Sequence, residues 1–244
     1  MTPQRRRALL ALLATLLAVA LTARLGLWQL DRAAYKRGLQ AEVEERGRMP
    51  ALDGAVLAAE PAAAEAQLQR RVELRGRWLT ERTVYLDNRP MDGRVGFYVV
   101  TPLQLEGRAE AVLVQRGWVP RDARDRSALP PLPQSDGTPV QVHGRLVAAP
   151  SRVYELGAAA SGPIRQNLGV AAYAQEIRRP LLPLTVLQLP HEGQAEDGLL
   201  RDWPAPDFGL QKHYGYAFQW FALSALLLGL YVWFQILRPR RRPR

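Results

Sequence analysis

The chain has 244 residues, with 33 Lys and Arg against 23 Asp and Glu, and it contains no cysteine. This length allows one globular domain of ordinary size together with membrane segments. Without cysteine, the chain cannot form disulfides, iron–sulfur clusters, covalently attached haem or thiolate metal sites.

The formal charge of +10 is unevenly distributed along the sequence. Nine basic residues lie near the two ends, at Arg5–Arg7, at Arg24 and in the tail RPRRRPR, which leaves 24 basic against 23 acidic residues in the middle. Basic ends beside apolar stretches set the orientation of membrane proteins. The pattern therefore predicts contact with membrane lipid and argues against a nucleic-acid-binding surface.

The first predicted elements are a cytoplasmic basic tail at 1–7 and a transmembrane helix at 8–29. As a helix, the apolar run ALLALLATLLAVALTARLGLW would be about 31 Å long, close to the hydrocarbon thickness of a bilayer. Arg24 lies one turn from its far end, where a long side chain can reach the interface. The alternative is a cleaved signal peptide, which RRR, the apolar run and Ala18-Val19-Ala20 fit loosely. The length of the run favours a membrane span.

A β-rich extracytoplasmic domain is predicted at 30–212, because branched and aromatic residues alternate with polar ones in several short segments. These predicted strands lie at 71–79, 83–90, 111–120, 139–150 and 181–190, with one more after a turn at Asp92-Gly93. Two further segments, 60–71 and 171–179, are typical of short helices, and 127–139 is a proline-rich loop. Short strands at this spacing favour a small β-barrel or a sandwich.

A second transmembrane helix is predicted at 213–237, followed by a cytoplasmic basic tail at 238–244. Aromatic anchors are expected near both ends of a span, and here they are Tyr216, Trp220, Tyr231 and Trp233. Since basic residues flank the outer ends of both spans, we expect both termini in the cytoplasm. The fold class that follows is membrane-anchored and mainly β (α+β), with two transmembrane helices flanking an extracytoplasmic small β-barrel or sandwich domain.

The common enzyme motifs are missing from this sequence. It contains no GxSxG, no HExxH, no P-loop and no Rossmann fingerprint. Its three histidines, His143, His191 and His213, stand too far apart in sequence to show a metal-ligand spacing. We therefore expect a protein without catalytic activity and without catalytic residues.

Polar and aromatic residues of the second span fall on one helical face. They are His213, Tyr216, Ala217, Trp220, Ser224, Tyr231 and Gln235. On the first span, Thr15, Thr22, Gly26 and Gln29 also share a face. Small and polar residues on facing sides let two membrane helices approach closely, so the pattern predicts that the two spans pack together.

His213 admits two interpretations at the outer membrane interface. A neutral imidazole can ligate haem iron, and histidine is a common axial haem ligand. Tyr216 and Trp220 would then offer a flat apolar wall to a porphyrin. Alternatively, His213 has an ordinary hydrogen-bonding role at the interface.

Four motifs resemble the surfeit locus protein 1 family: LGLWQLDRAAYK (25–36), NRPMDGRVGFYVVTPL (88–103), VLVQRGWVP (112–120) and HYGYAFQW (213–220). They occur in that family's order, between two terminal spans, and the resemblance covers nearly the whole chain. Gln115 stands where the family usually has asparagine, a change that keeps an amide.

The resemblance implies an assembly factor for haem–copper cytochrome c oxidase that binds haem a and assists its delivery to subunit I. It implies His213 as the ligand of the haem iron, so that His213, Tyr216 and Trp220 are the expected haem-binding residues. The implied partners are cytochrome c oxidase subunit I, haem a synthase and membrane lipid. Cations that could pair with the haem propionates are Lys212, Arg32, Lys36 and, more distantly, Arg116.

Two other functional classes remain open. One is a haem-independent membrane scaffold that stabilises an oxidase subunit during assembly. The other is an outward-facing enzyme or copper donor, which lacks ligands because the chain has no cysteine and no methionine cluster. The arginine-rich, lysine-poor composition favours a bacterial inner membrane, with the main domain in the periplasm, over a mitochondrion.

Overall fold

A computed structural model describes residues 2–122, 124–125, 128–130, 137–153, 162–191, 197–204 and 208–238. The chain divides into two compact units. We call residues 1–42 and 206–244 the helical unit and Val43–Ala205 the barrel unit. Most of the predicted proline-rich loop at 127–139, and the predicted basic tail beyond Arg238, lie outside the described residues.

Four α-helices are present in the described residues. They are α1 (Pro3–Arg48), α2 (Pro61–Gln67), α3 (Val170–Ile177) and α4 (Leu210–Tyr231), and α4 continues as a π-helix at Val232–Leu237. Helices α2 and α3 confirm the two predicted short helices. Helix α1 continues well beyond the predicted span at 8–29, because residues 30–48 are rich in good helix formers and contain no proline. The hydropathy of the sequence shows where the apolar span ends, but it does not show where the helix ends.

Two helical segments are long and apolar enough to cross a membrane, Arg5–Arg48 and Leu210–Leu237. Only 6% of the apolar window of each is buried within the protein. Apolar side chains exposed in this number and length are typical of membrane helices. The two predicted spans, one at each end of the chain, are therefore present as candidate membrane helices.

Eight strands are present in the described residues of the barrel unit. They are β1 (Leu52–Asp53), β2 (Arg71–Trp78), β3 (Val84–Met91), β4 (Arg94–Leu105), β5 (Ala111–Pro120), β6 (Val140–Val147), β7 (Ile164–Arg165) and β8 (Leu181–Gln188). The six longer strands confirm the predicted ones. The two-residue strands β1 and β7 were not predicted, because so short a segment has no alternation to detect.

Five of these strands close into a barrel, in the order β2–β6–β8–β5–β4 and back to β2. The closing pair is antiparallel and places Gly76 opposite Leu105 and Trp78 opposite Leu103. A Cβ at Gly76 would lie 2.3 Å from the carbonyl oxygen of Gln104, so the strands can approach at this point only without a side chain. The structure thus selects the barrel over the sandwich.

Apolar side chains from all five barrel strands fill the interior. Strand β2 alternates between exposed and buried residues, with Val72 and Leu74 facing inwards. Strand β5 is buried on both faces: Val114 belongs to the barrel interior, whereas Leu113 packs in a second cluster that includes residues of α3. Burial on both faces explains why β5 begins with four consecutive apolar residues, at 111–114, rather than with an alternating pattern.

Candidate functional site

His213 lies in the first turn of α4 and is hydrogen-bonded to α1. Its ring nitrogen Nδ1 lies 2.8 Å from Oε1 of Gln29. An amide oxygen only accepts hydrogen bonds, so Nδ1 carries the hydrogen and donates it. The other nitrogen of the neutral ring, Nε2, then keeps its lone pair, and no described residue donates a hydrogen bond to it. The half-buried imidazole can therefore act as a ligand through Nε2.

A pair of hydroxyl groups connects the same two helices deeper in the predicted membrane. Oγ1 of Thr22 lies 2.6 Å from Oγ of Ser224, and Thr22 is buried. Each hydroxyl also lies within hydrogen-bond distance of a carbonyl oxygen of its own helix, Thr22 of Ala18 at 2.8 Å and Ser224 of Trp220 at 3.1 Å. Because a hydroxyl has one hydrogen, one of the two donates across the helix pair and the other donates to its own helix. Hydrogen bonds of this kind are typical of membrane helix pairs.

Small residues bring the two helices close together between these hydrogen bonds. A Cβ at Gly26 would lie 2.8 Å from ring carbons of Phe221. Ala33 of α1 and Ala217 of α4 are buried as well. The predicted packing of the two polar faces is therefore confirmed. Residues further along α1 contact residues earlier along α4.

The two aromatic residues of the predicted haem wall lie in different surroundings. Trp220 is half-buried, whereas Tyr216 is 52% exposed. The helical spacing explains the difference, because Trp220 is about 20° and Tyr216 about 60° from the direction of His213. Tyr216 lies at the flank of the packed face, where its ring is accessible from outside the helix pair.

Several cations surround the start of α4. Nζ of Lys36 lies close to Gly209, since a Cβ at that glycine would be 3.8 Å away. The guanidinium of Arg37 lies 6.0 Å from the ring centre of Tyr214, and Lys212 is exposed. Between Arg24 and Gln40 the sequence contains only one acidic residue, Asp31. Together with the positive end of the α4 dipole, these charges favour an anionic ligand.

The NRP and RGW motifs form a structural junction in the barrel unit. Arg89 is 2% exposed and donates hydrogen bonds to the carbonyl oxygens of Asp87, Ser151 and Gln166, at 3.0, 2.7 and 2.7 Å. The indole nitrogen of Trp118 donates to the carbonyl oxygen of Arg89 at 2.8 Å. These motif residues therefore hold strands and loops of the barrel unit together.

Arg116 of the RGW motif is a buried cation at a β-bulge. Gln115 pairs with Val100 and Gly117 with Val99, so Arg116 is the extra residue of β5. Its guanidinium lies 4.5 Å from the ring centre of Trp78, while Nε and Nη1 are buried without a hydrogen-bond partner among the described residues. Burial lowers the pKa of Arg116, although the nearby carboxylate of Asp197 opposes this change. A role for Arg116 towards a propionate stays a prediction.

His143 and His191 are brought together by the fold. Their rings are stacked at 3.7 Å between centres, and Nδ1 of His143 lies 3.9 Å from Oε1 of Glu73. They line a cavity of about 310 Å³. Burial, with a further contribution from His191, lowers the pKa of His143. Within the described part of the chain, no group of three or more His, Cys, Asp or Glu residues suits a metal ion.

Comparison with known proteins decides the family. A family model described as SURF1 family matches residues 16–225. The chain belongs to the SURF1 family. A SURF1-like protein of Rickettsia bellii is 28% identical over 215 residues, which cover 85% of this chain and 83% of that protein. A SURF1-like protein of Drosophila melanogaster is 32% identical over 124 residues, which cover 43% of this chain and 40% of that protein.

The SURF1 match begins before Gln29 and ends after His213, so it includes most of both helices of the candidate site and the whole barrel unit between them. The histidine and the facing polar residues of this SURF1-family chain were predictable from helical periodicity. The direct bond between His213 and Gln29 was not predicted. The only signal for it in the sequence is that each residue lies at the outer end of its polar face.

Proposed function

We propose that this SURF1-family chain is a membrane-anchored assembly factor for haem–copper cytochrome c oxidase, which binds haem a and assists its delivery to subunit I. One observation carries the proposal. His213 is half-buried at the end of a membrane helix pair, with Nδ1 bonded to Gln29 at 2.8 Å. No described residue is hydrogen-bonded to Nε2, which is the nitrogen that would ligate iron.

The surrounding residues fit the chemistry of a haem. The macrocycle is apolar and its two propionates are anionic, so an interfacial site with cations at its polar edge suits it. Trp220 and the exposed ring of Tyr216 supply aromatic surface beside His213. Lys36, Lys212 and Arg37 supply positive charge at the start of α4.

A histidine with a neutral hydrogen-bond partner is also suited to release. Ligand exchange at the iron requires His213 to give up its bond to a ligand of the receiving protein. The helix pair stays connected meanwhile, because the Thr22–Ser224 bond and the contact at Gly26 do not involve the imidazole. We propose subunit I as the recipient and haem a synthase as the source.

The proposed location is a bacterial inner membrane, with both termini in the cytoplasm and the barrel unit in the periplasm. Basic residues at the outer ends of both spans support this orientation. The candidate membrane helices support attachment to lipid.

The test is a visible absorption spectrum of the full chain, purified in detergent after co-expression with haem a synthesis. We expect a haem a spectrum in the wild type and its loss in His213→Ala. The matched control is His143→Ala, which removes a histidine of the barrel unit and should keep the spectrum. A wild-type chain that never carries haem a, under conditions where oxidase assembly depends on it, would overturn the proposal.

A haem-independent scaffold is the second candidate. It is favoured by the same hydrogen bond, since Gln29 gives Nδ1 of His213 a partner without any metal. Under this alternative, His213→Ala weakens helix packing slightly and oxidase assembly continues. Haem-free wild-type protein that promotes oxidase assembly would make the scaffold the better description.

A further inference from the structure

Gln29 is the one residue seen to contact the ring nitrogens of His213 in the described part of the chain. We propose that Gln29 is the positioning residue for His213: its neutral amide selects the tautomer, aims Nε2 at the iron and keeps the iron–histidine bond weak enough for haem to be passed on. This inference rests on the proposed haem-binding function.

The hydrogen bond between Gln29 and His213 sets the tautomer of the imidazole. Because Oε1 of Gln29 only accepts, the proton of a neutral imidazole stays on Nδ1 and the lone pair stays on Nε2. Without this acceptor, the ring would exchange between two tautomers, one of which presents N–H to the iron. Partners of this kind orient the first ligand and set its basicity in metal sites generally.

Gln29 is held in position by its neighbours on α1. It lies on the same face of α1 as Gly26 and Thr22, which are one and two turns away. Gly26 packs against Phe221, and Thr22 is hydrogen-bonded to Ser224 at 2.6 Å. These two contacts set the register of α1 against α4, so the amide of Gln29 is held opposite His213 rather than brought there by a mobile side chain.

Within the described residues, no carboxylate is hydrogen-bonded to the imidazole of His213. Helix α4 and the π-helix after it contain no Asp or Glu. On α1, Asp31 is the only acidic residue between Arg24 and Gln40, and it is exposed. A carboxylate would draw the Nδ1 proton towards itself and make Nε2 a stronger donor. With a neutral amide as its partner, the imidazole keeps its ordinary donor strength towards a metal. This suits a carrier that must release its cargo.

Two substitutions separate positioning from simple packing. Gln29→Glu keeps the size and the acceptor but adds negative charge, so it should strengthen the iron–histidine bond. Gln29→Leu removes the acceptor, so it should weaken that bond and lower haem affinity by about tenfold or more. Gln211→Leu is the matched control, because it removes an exposed amide two residues from His213.

The measurement uses the haem-loaded full chain in detergent. Resonance Raman of the ferrous form gives the iron–histidine stretching frequency, and the g-values of the ferric form report donor strength if the iron is six-coordinate. Transfer of haem to apomyoglobin gives the release rate. We expect a higher frequency and about tenfold slower transfer for Gln29→Glu. Gln29→Leu should show a lower frequency and faster transfer, and Gln211→Leu should match the wild type.

Unchanged frequency, g-values and transfer rate in Gln29→Glu would overturn the inference, even if Gln29→Leu fails to fold. In that case the haem spectrum of the wild type would still support the proposed function. A wild-type chain that carries no haem would overturn the proposed function and this inference with it.

Discussion

At the scale of single residues, two buried arginines of the barrel unit show how differently one residue type can be accommodated. Arg89 donates to three carbonyl oxygens. Arg116 lies against Trp78 and leaves Nε and Nη1 without a partner. A buried guanidinium stabilises a fold mainly through the groups it satisfies, because its own desolvation is costly.

We therefore expect Arg89→Met and Arg116→Met to have unequal effects on the free energy of unfolding. Arg89→Met leaves three carbonyl oxygens without a hydrogen-bond donor, so it should lower the free energy of unfolding by about 3–5 kcal/mol. No described residue accepts a hydrogen bond from Arg116, so Arg116→Met leaves no acceptor without its donor and should change stability by less than about 1 kcal/mol. Thermal unfolding of the two variants in detergent measures the difference. Equal losses would show that Arg116 is as important to the fold as Arg89.

At the scale of elements, the helical unit depends on how closely α1 and α4 can approach. The hydrogen bonds of Thr22 and Gln29 are short because Gly26 lies between them without a side chain. Association of membrane helices relies on such packing, since lipid is as apolar as the helices themselves. The residues of the candidate site are therefore held in place by the contact between α1 and α4.

Gly26→Leu should separate the helices, because even a Cβ there would lie 2.8 Å from the Phe221 ring. We expect a loss of about 1–3 kcal/mol, as for other overpacked contacts, together with loss of haem binding. The control is Gly38→Leu in the same helix, where a Cβ meets nothing within 4 Å.

Adding Phe221→Ala to Gly26→Leu should restore part of the lost thermal stability, because it removes the ring that clashes. If Gly26→Leu and Gly38→Leu unfold at the same temperature, close approach at Gly26 does not stabilise the helical unit.

At the scale of the whole molecule, two candidate membrane helices flank a barrel whose strands all come from the segment between them. Two spans, one on each side of the barrel unit in sequence, would place both termini on the same side of a membrane. The basic residues at the outer ends predict that this side is the cytoplasm.

Single cysteines can test this orientation without background, since the chain has none of its own. We expect Ala109→Cys, in the exposed loop between β4 and β5, to react with a membrane-impermeant maleimide in intact spheroplasts. Thr2→Cys should react only after lysis. Labelling of Thr2→Cys in intact spheroplasts would contradict the proposed topology.

Some of the fold was predictable because its causes are local. The apolar runs marked both spans, and short segments rich in branched and aromatic residues marked the strands, including β5 at Ala111–Pro120. The polar continuation of α1 to Arg48 was missed, because nothing in hydropathy separates a helix from a loop once it leaves the membrane. Strand β7 was missed because it exists only through its pairing with β3.

By itself, the sequence determined the two spans, the β-rich segment between them and the polar face that carries His213. Each follows from periodicity or hydropathy within a few turns or one strand. Only the tertiary structure decided that the strands close at Gly76 and that His213 is bonded to Gln29, 184 residues away. Such pairings depend on how distant segments pack against each other, and no local pattern in a single sequence records which partner is chosen.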